Sequence, residues 1–519
     1  MKKIIQYSQG CCLVLLLLVS GLLTENVMAQ SKGISQWVSL NSSGKLSYKA
    51  TDKGDKIMDF SFAGYMGGGV SFPDVPVALT VSPGSSDDAR AIQDAIDQVS
   101  KMPLIKGLRG TVLLKSGSYN CTKSLTISAS GVVLRGSGSD ENGTVINMTG
   151  EAHTGVTVKG SSSSQVFGKP VSFTDAYVPS GATSFNVKDA SAFKVDDKIR
   201  ITRPVTDTWV HFMGMDVLVR NGKKEKWVGK ETTTDRTIIK IEGNKITVDV
   251  PLTDSFDAGF LGPDGATVVA ITTTGEISQI GVENLRIVSP PKVATITESN
   301  NRGLNVSGST DVWLKNIVII NTIGSVNINA NCVTVENVNV QHTVATIGAA
   351  KPADFVAGGR QILFDRCTIK GDNLFFFATA ARVTGPTVLL NCVFNGNGWI
   401  QPHQRWATGL LVDGCKVPDG GIDFMNRGEM GSGHGWTIAW AVAWNCQAKR
   451  FINQNPPGAA NWNIGGKGAR EKSAMPFSKS PLLPEGNYDS HGTSVAPLSL
   501  YLTQLAERLG PQAVKNIGY

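Results

Sequence analysis

Beyond residue 23 the 519-residue chain holds no apolar run long enough to cross a membrane. It also lacks long basic runs. Its 49 Lys and Arg against 42 Asp and Glu leave a formal charge of +7 spread thinly along the sequence. That distribution argues against nucleic acid as a partner and hints at an acidic one. Aromatic residues make up only 7% of the chain, while glycine reaches 57. Such a composition suits many short strands joined by tight turns. No compact calcium-binding loop of the usual spacing is present.

What is present begins with a leader. Lys2 and Lys3, an apolar stretch over residues 11–23 and the small-residue sequence VMA before Gln30 predict a signal peptide removed after Ala29. Loss of Lys2, Lys3 and Glu25 takes the formal charge from +7 to +6, and Cys11 and Cys12 leave as well. The mature chain is expected to be exported, secreted or periplasmic in a Gram-negative bacterium, free of the membrane and monomeric. Residues 30–519 are expected to form a single domain with a large core.

The second half of the sequence hides an irregular repeat. VENLRIV (282–288), LKNIVII (314–320), VENVNVQ (335–341), FDRCTIK (364–370), LNCVFNG (390–396), VDGCKVP (412–418) and AWNCQAK (443–449) share one pattern. Apolar residues lead to a bend, and the next slot holds Leu285, Ile317, Val338, Cys367, Cys392, Cys415 or Cys446. The residue before that slot is Asn284, Asn316, Asn337, Arg366, Asn391, Gly414 or Asn445, mostly types that tolerate left-handed backbone. Short strands with a bend, repeated at variable spacing, predict a parallel β-helix. The four cysteines share the aliphatic slot, so they are expected to be stacked interior thiols and not disulfides. Cys121 and Cys332 carry no pairing signal.

A solenoid needs its open ends covered. Residues 85–100 place Ile92, Ala95, Ile96 and Val99 at helical spacing, which predicts an N-terminal lid. Residues 497–510 do the same with Leu498, Tyr501, Leu502, Leu505 and Leu509, ending at Gly510, in a C-terminal wrap over 471–519. Residues 170–275 alternate instead like antiparallel strands, with a hairpin at EGN, and predict an inserted β subdomain. The helix followed by GTVLLKSGSY and VVLRGSGS resembles the opening of the pectate-lyase superfamily. That resemblance covers roughly 60–160 and 277–470. It implies an all-β, right-handed parallel β-helix, in a superfamily of lyases, hydrolases, epimerases and phage tailspikes.

The resemblance also implies that the strand beginning each coil lines a substrate groove. Here those strands would be residues 372–380, 398–406, 421–429 and 451–458. Alternation along 398–406 would turn Gln401, His403 and Arg405 to solvent, with Asp423 and Arg427 following one rung on, then Asn453 and Asn455. A slip by one residue would exchange Arg427 for Asn426. Lys351 lies thirteen residues after Val338, as Arg405 does after Cys392, so Lys351 and Asp354 are expected on the same face. Trp399, Trp406 and Trp436 could offer flat faces to sugar rings. Asn461 and Trp462 would either wall the groove or close the last rung. The bland reading is a solvated ladder with tryptophans filling gaps. His153, His211 and His491 lie elsewhere.

Such a groove suits β-elimination on a uronic-acid polysaccharide. Arg405, Arg427, Asn426 and Asn455 would neutralise the carboxylate, His403 or Lys351 would remove the C5 proton, and His434 would serve as acid. Calcium is common in lyases of the superfamily, and Asp354, Asp372 and Asp423 are its candidate ligands here. The rival is hydrolysis. GSGHGWT (431–437) is similar to the Gly-His-Gly element of polygalacturonases, yet LLVDGCKVPDGG lacks their adjacent aspartates. An epimerase or a carbohydrate-binding protein remains as a third reading, and a panel of acidic polysaccharides separates them.

Overall fold

The computed structural model describes residues 33–84 and 86–519, so the leader and its cleavage site lie outside the described residues. Three ladders of short strands run along the molecule. The first starts at Val77–Val81 and passes through Gly110–Leu114, Val132–Gly136, Ile362–Asp365, Thr384–Leu390, Ala407–Asp413 and Trp462–Ile464. The second contains Gly117–Cys121, Thr144–Met148, Thr368–Lys370 and Val393–Asn395. The third contains Leu125–Ile127, Thr154–Lys159, Ala353–Ala357, Phe375–Thr379 and Trp399–Ile400. Between the early and late coils, the long strands Ile277–Val288, Arg302–Ile320 and Val326–Gln341 turn corners without breaking. Pairing along all three ladders is parallel, so the chain is a three-sided parallel β solenoid.

The corner between the first two ladders follows directly from the repeat. Asn284, Asn316, Asn337, Arg366, Asn391, Gly414 and Asn445 all have φ between 50° and 64°. Asparagine adopts this conformation more readily than most residues, and here its amide is also used. The Asn316 amide donates to the Asn284 side-chain oxygen at 3.0 Å, and that of Asn337 donates to Asn316 at 2.9 Å. Asn316→Val, which loses both bonds and forces a β-branched residue into this region, is expected to lower stability by about 2 kcal/mol or more, read by denaturant unfolding. Asn316→Gly should lose less.

The next column carries the side chains of the interior. Leu285, Ile317 and Val338 are in register, and the pairs Asn339–Thr368, Thr368–Val393, Val393–Lys416 and Lys416–Gln447 continue that column through the four cysteines. All four are free, fully buried thiols. Their sulfurs donate to ladder carbonyls, Cys446 to Val412 at 3.1 Å and Cys367 to Val335 at 3.2 Å. Burial pushes the Cys446 thiol up to about 12. The four should therefore resist thiol reagents in the folded protein and react with them after unreduced denaturation. Titration that finds them paired would overturn the stacking.

The lid is the helix Ala89–Ser100, with Ile92, Ala95, Ile96 and Val99 buried against the first coils. It begins later than residue 85 because acidic side chains just before it are committed to the neighbouring strand: Asp87 accepts from the Thr122 hydroxyl at 2.6 Å and Asp88 from the Asn120 amide at 2.9 Å. At the other end, the helix Leu500–Leu509 is capped by Ser499 and stops at Gly510, with φ 84°. It lies along the flank of the first ladder, where the Asp413 carboxylate accepts from the Ser499 hydroxyl at 2.7 Å and the Tyr501 amide at 2.8 Å. There it seals a second core between Ile57, Met58 and Phe60 and the outer side chains Leu363, Leu411 and Val442. The tail after residue 471 is not wrap alone, since Asn487–Asp489 adds a strand to the first ladder beside Trp462–Ile464.

Between Lys159 and Ile277 the third side of the coil opens into a six-stranded antiparallel sheet with its own core of Ile199, Ile201, Ile238, Ile246 and Val268. Its first strand, Ser163–Ser172, starts before the expected limit at 170. That strand is exposed and carries no apolar alternation, so only its pairing with Thr267–Thr274 reveals it. The helix Asp207–Phe212 and the hairpin Val219–Arg220 with Lys223–Lys224 extend from this sheet towards residues 425–436.

Candidate functional site

The strand expected over residues 398–406 exists only as Trp399–Ile400. After Ile400 the chain leaves the ladder, and Arg405 and Trp406 both turn left-handed, with φ 55° and 60°. They do so because their amides bond to a loop of the next coil: Arg405 to the His434 carbonyl at 3.0 Å and Trp406 to the Trp436 carbonyl at 3.0 Å. Strict alternation therefore does not set the direction of Gln401, His403 and Arg405. Loops 401–406 and 425–436 do so together.

What they assemble is a compact polar cluster. The His403 and His434 rings meet edge to face, with centroids 4.7 Å apart. The Arg427 guanidinium donates to the His403 carbonyl at 2.9 Å, and that of Arg405 clasps the Ser432 carbonyl at 2.7 Å and hydroxyl at 2.6 Å. Gln401 donates its amide to Asp423, which is 1% exposed. Burial, then the charges of Arg427 and Arg405, pulls His403 down to about 4. Burial, then Arg427, His403 and Arg405, pulls His434 to about 3. Both rings are thus neutral at neutral pH. Burial pushes the Asp423 carboxyl up to about 7, against the opposing pull of Arg427 and Gln401.

Four buried polar atoms of this cluster find no hydrogen-bond partner among the described residues: Asp423 Oδ1, Gln401 Oε1, Arg427 Nε and His434 Nδ1. Buried polar atoms of folded proteins are nearly always satisfied, so unpaired ones concentrated at one place mark it for a ligand or water. Cavities of 470, 560 and 590 Å³ lie elsewhere, the last entirely within the insert between Pro204 and Glu231.

Several expected members stand apart. Trp406 is buried, its ring edge-on to Trp209 and its indole N–H on Asp254 at 2.8 Å. Trp436 is buried too and donates to the Met213 carbonyl at 3.1 Å. Neither can offer a face to a sugar, because both are clamped by the insert. Asn426 is 2% exposed; its side-chain oxygen accepts from the Gly428 backbone amide at 2.8 Å, and its own backbone amide donates to the Gln454 side-chain oxygen at 2.8 Å. Asn455 accepts from the Asn461 amide at 2.8 Å, and Asn461 itself is fully buried with bonds to Ile438 and Gln454. Both asparagines close rungs, and Trp462 is likewise core. Trp399 remains half-buried on the third ladder, between Phe375 and Gly421.

Lys351 is not on the face of Arg405. Ala353, Phe375 and Trp399 form one column, so Lys351 precedes that column and Arg405 follows it. Equal counting from the bend fails because the loops between the second and third ladders differ in length. The three aspartates proposed for calcium do not converge either. Asp354 is fully buried against the Ser325 hydroxyl at 2.6 Å and His342 at 2.7 Å, Asp372 is exposed and accepts from the Asn397 amide at 2.9 Å, and Asp423 is held by Gln401. Among the described residues no group of three or more acidic, histidine or cysteine side chains could hold a metal ion. This donor set does not fit calcium.

One contributor escaped the sequence. The insert hairpin braces the site, since Arg220 donates to the Glu429 carbonyl at 3.0 Å and the Glu225 side chain packs on Gly433. No spacing in the sequence links residues two hundred positions apart. Away from the cluster, His342 forms a buried pair with Asp354. Burial opposes its charge, and the Asp354 carboxylate overrides that and raises it.

The chain is thus a parallel β solenoid carrying a cationic, histidine-bearing cluster on its third side. No family model and no curated protein matches the sequence. Among solved structures it is similar to the tailspike protein gp49 of Pseudomonas phage LKA1, at TM-score 0.35 and 12% identity over 74% of this chain and 70% of that one. It is also similar to the gp54 tailspike of Acinetobacter baumannii bacteriophage AP22, solved in complex with A. baumannii capsular saccharide, at TM-score 0.27 and 13% identity over 75% and 70%. A glycoside hydrolase is similar at TM-score 0.22 and 9% identity over 83% and 99%. Likeness this weak carries no information on substrate.

Proposed function

We propose that the protein is a polysaccharide lyase that cleaves a uronic-acid-containing polymer by β-elimination. One observation supports this above others: two imidazoles held neutral between two guanidiniums, beside a single carboxyl raised to about 7. A uronate carboxylate would sit against Arg405 and Arg427, which acidifies the C5 proton. His403 takes that proton, as its ring nitrogens make no hydrogen bond among the described residues. The C4–O bond then breaks, a C4–C5 double bond forms, and protonated Asp423 gives its proton to the leaving oxygen. His434 stays neutral and is a weak acid, so Asp423 replaces it in that role.

The free-enzyme profile of kcat/KM should be bell-shaped. Below about 4 protonation of His403 removes the base, and above about 7 ionisation of Asp423 removes the acid. A bound carboxylate offsets the arginine charges, so the acid limb of kcat should lie at higher pH than that of kcat/KM. Incubation with acidic polysaccharides, read by ultraviolet absorption of the unsaturated uronate and by reducing ends, tests the reaction. Reducing ends without absorption would make the protein a hydrolase and sink the elimination. We also propose a right-handed coil, the hand that parallel crossover connections almost always take, and export of the mature chain.

A further inference from the structure

The third ladder carries a second cation-on-aromatic arrangement beside the first. Phe375 and Trp399 are neighbours in the ladder. The Arg427 guanidinium lies 5.3 Å from the Phe375 ring, and the Arg450 guanidinium lies 4.9 Å from the Trp399 ring. Trp399, Gly421 and Arg450 are in register on consecutive coils. The Trp399 ring occupies the space where a Gly421 side chain would stand, since a Cβ there would meet it at 2.2 Å. Glycine at 421 thus lets the indole lie across the coil and the arginine reach back over it.

Both guanidiniums have a buried Nε with no hydrogen-bond partner among the described residues. Stacking on a ring takes up a face of the guanidinium and leaves its N–H edge for an anion. Among the described residues Arg450 has one weak ionic partner, Glu471 at 3.8 Å, on half-exposed side chains. The two rings they cover are one ladder step apart, about 4.8 Å. One sugar unit of an extended chain has a comparable length.

We infer that Arg450, seated on Trp399, forms a second anionic subsite that takes the carboxylate of the sugar next to the one bound by Arg427. This rests on the acidic substrate read above. It makes the preferred polymer one with acidic groups on neighbouring units, laid along the solenoid axis. Glu471 holds the Arg450 edge when no substrate is bound.

The test is binding of acidic hexasaccharides from polygalacturonate, alginate and hyaluronate to the full chain, followed by tryptophan fluorescence, alongside their methyl-esterified counterparts. Arg450→Gln is expected to weaken the best acidic hexamer about tenfold or more, as loss of a charge-assisted bond does. It should change binding of the ester little, and Arg450→Lys should recover only part of the loss. Glu471→Gln should tighten the acidic hexamer, because it frees the guanidinium. Equal losses on acid and ester, or no loss on either, would overturn the subsite while leaving the acidic-substrate reading intact. Failure of the unaltered protein to bind any of the three acidic hexamers would overturn both.

Discussion

His403→Gln is expected to reduce kcat by about 10²–10⁴-fold, the usual effect of removing a general base, with little change in unfolding midpoint. Its ring touches His434 edge to face and makes no hydrogen bond among the described residues, so the fold loses little. Asp423→Asn should fall comparably and abolish the alkaline limb near 7, because an amide cannot supply the proton. Arg405→Ala should behave differently. Arg405 anchors loop 401–406 to Ser432 as well as bearing charge, so it should lower both activity and stability. Near-normal turnover in both His403→Gln and Asp423→Asn would place the chemistry elsewhere on the solenoid. The same histidines make acid unfolding informative. Their folded pKa values lie below the ordinary value of 6.5, so the stability present above that pH is lost as pH falls towards 4 and 3.

Trp406→Ala is expected to give the largest loss of stability, about 3–5 kcal/mol by denaturant unfolding. Its ring packs edge-on to Trp209 and Trp227, and its N–H reaches Asp254. Asp254 also meets the Trp440 N–H at 3.3 Å and Arg203 at 3.4 Å, so the substitution leaves a cavity and deprives a buried carboxylate of a donor. Trp406→Phe should recover packing but not the bond. A stable Trp406→Ala protein would mean that the insert is not fastened to the solenoid there.

How these two residues differ shows where sequence reading reaches its limit. His403 and Trp406 stand three apart in one short segment, and by sequence both pointed to substrate. The difference lies in partners from distant segments: residues 203–254 of the insert cover the tryptophan and leave the histidine facing the next coil. Lys351 was misplaced for a related reason. Its distance from a bend was legible, but the loop that intervenes has no fixed length.

The bends themselves were local. An asparagine that must adopt φ near 50° and an aliphatic slot filled by Leu, Ile, Val or Cys are set by each residue's own backbone and size, so the sequence alone determined the coil, its corner, its lid and its stack of thiols. Tertiary structure decided the rest. It drew His403, Arg405, Arg427, His434 and Asp423 into one cluster, separated them from Asp354 and Asp372, and made sealing residues of Trp406, Trp436, Asn426 and Asn455. The pKa displacements that give the cluster its chemistry arise from burial and from charges on neighbouring coils, which a linear chain does not contain until it is wound.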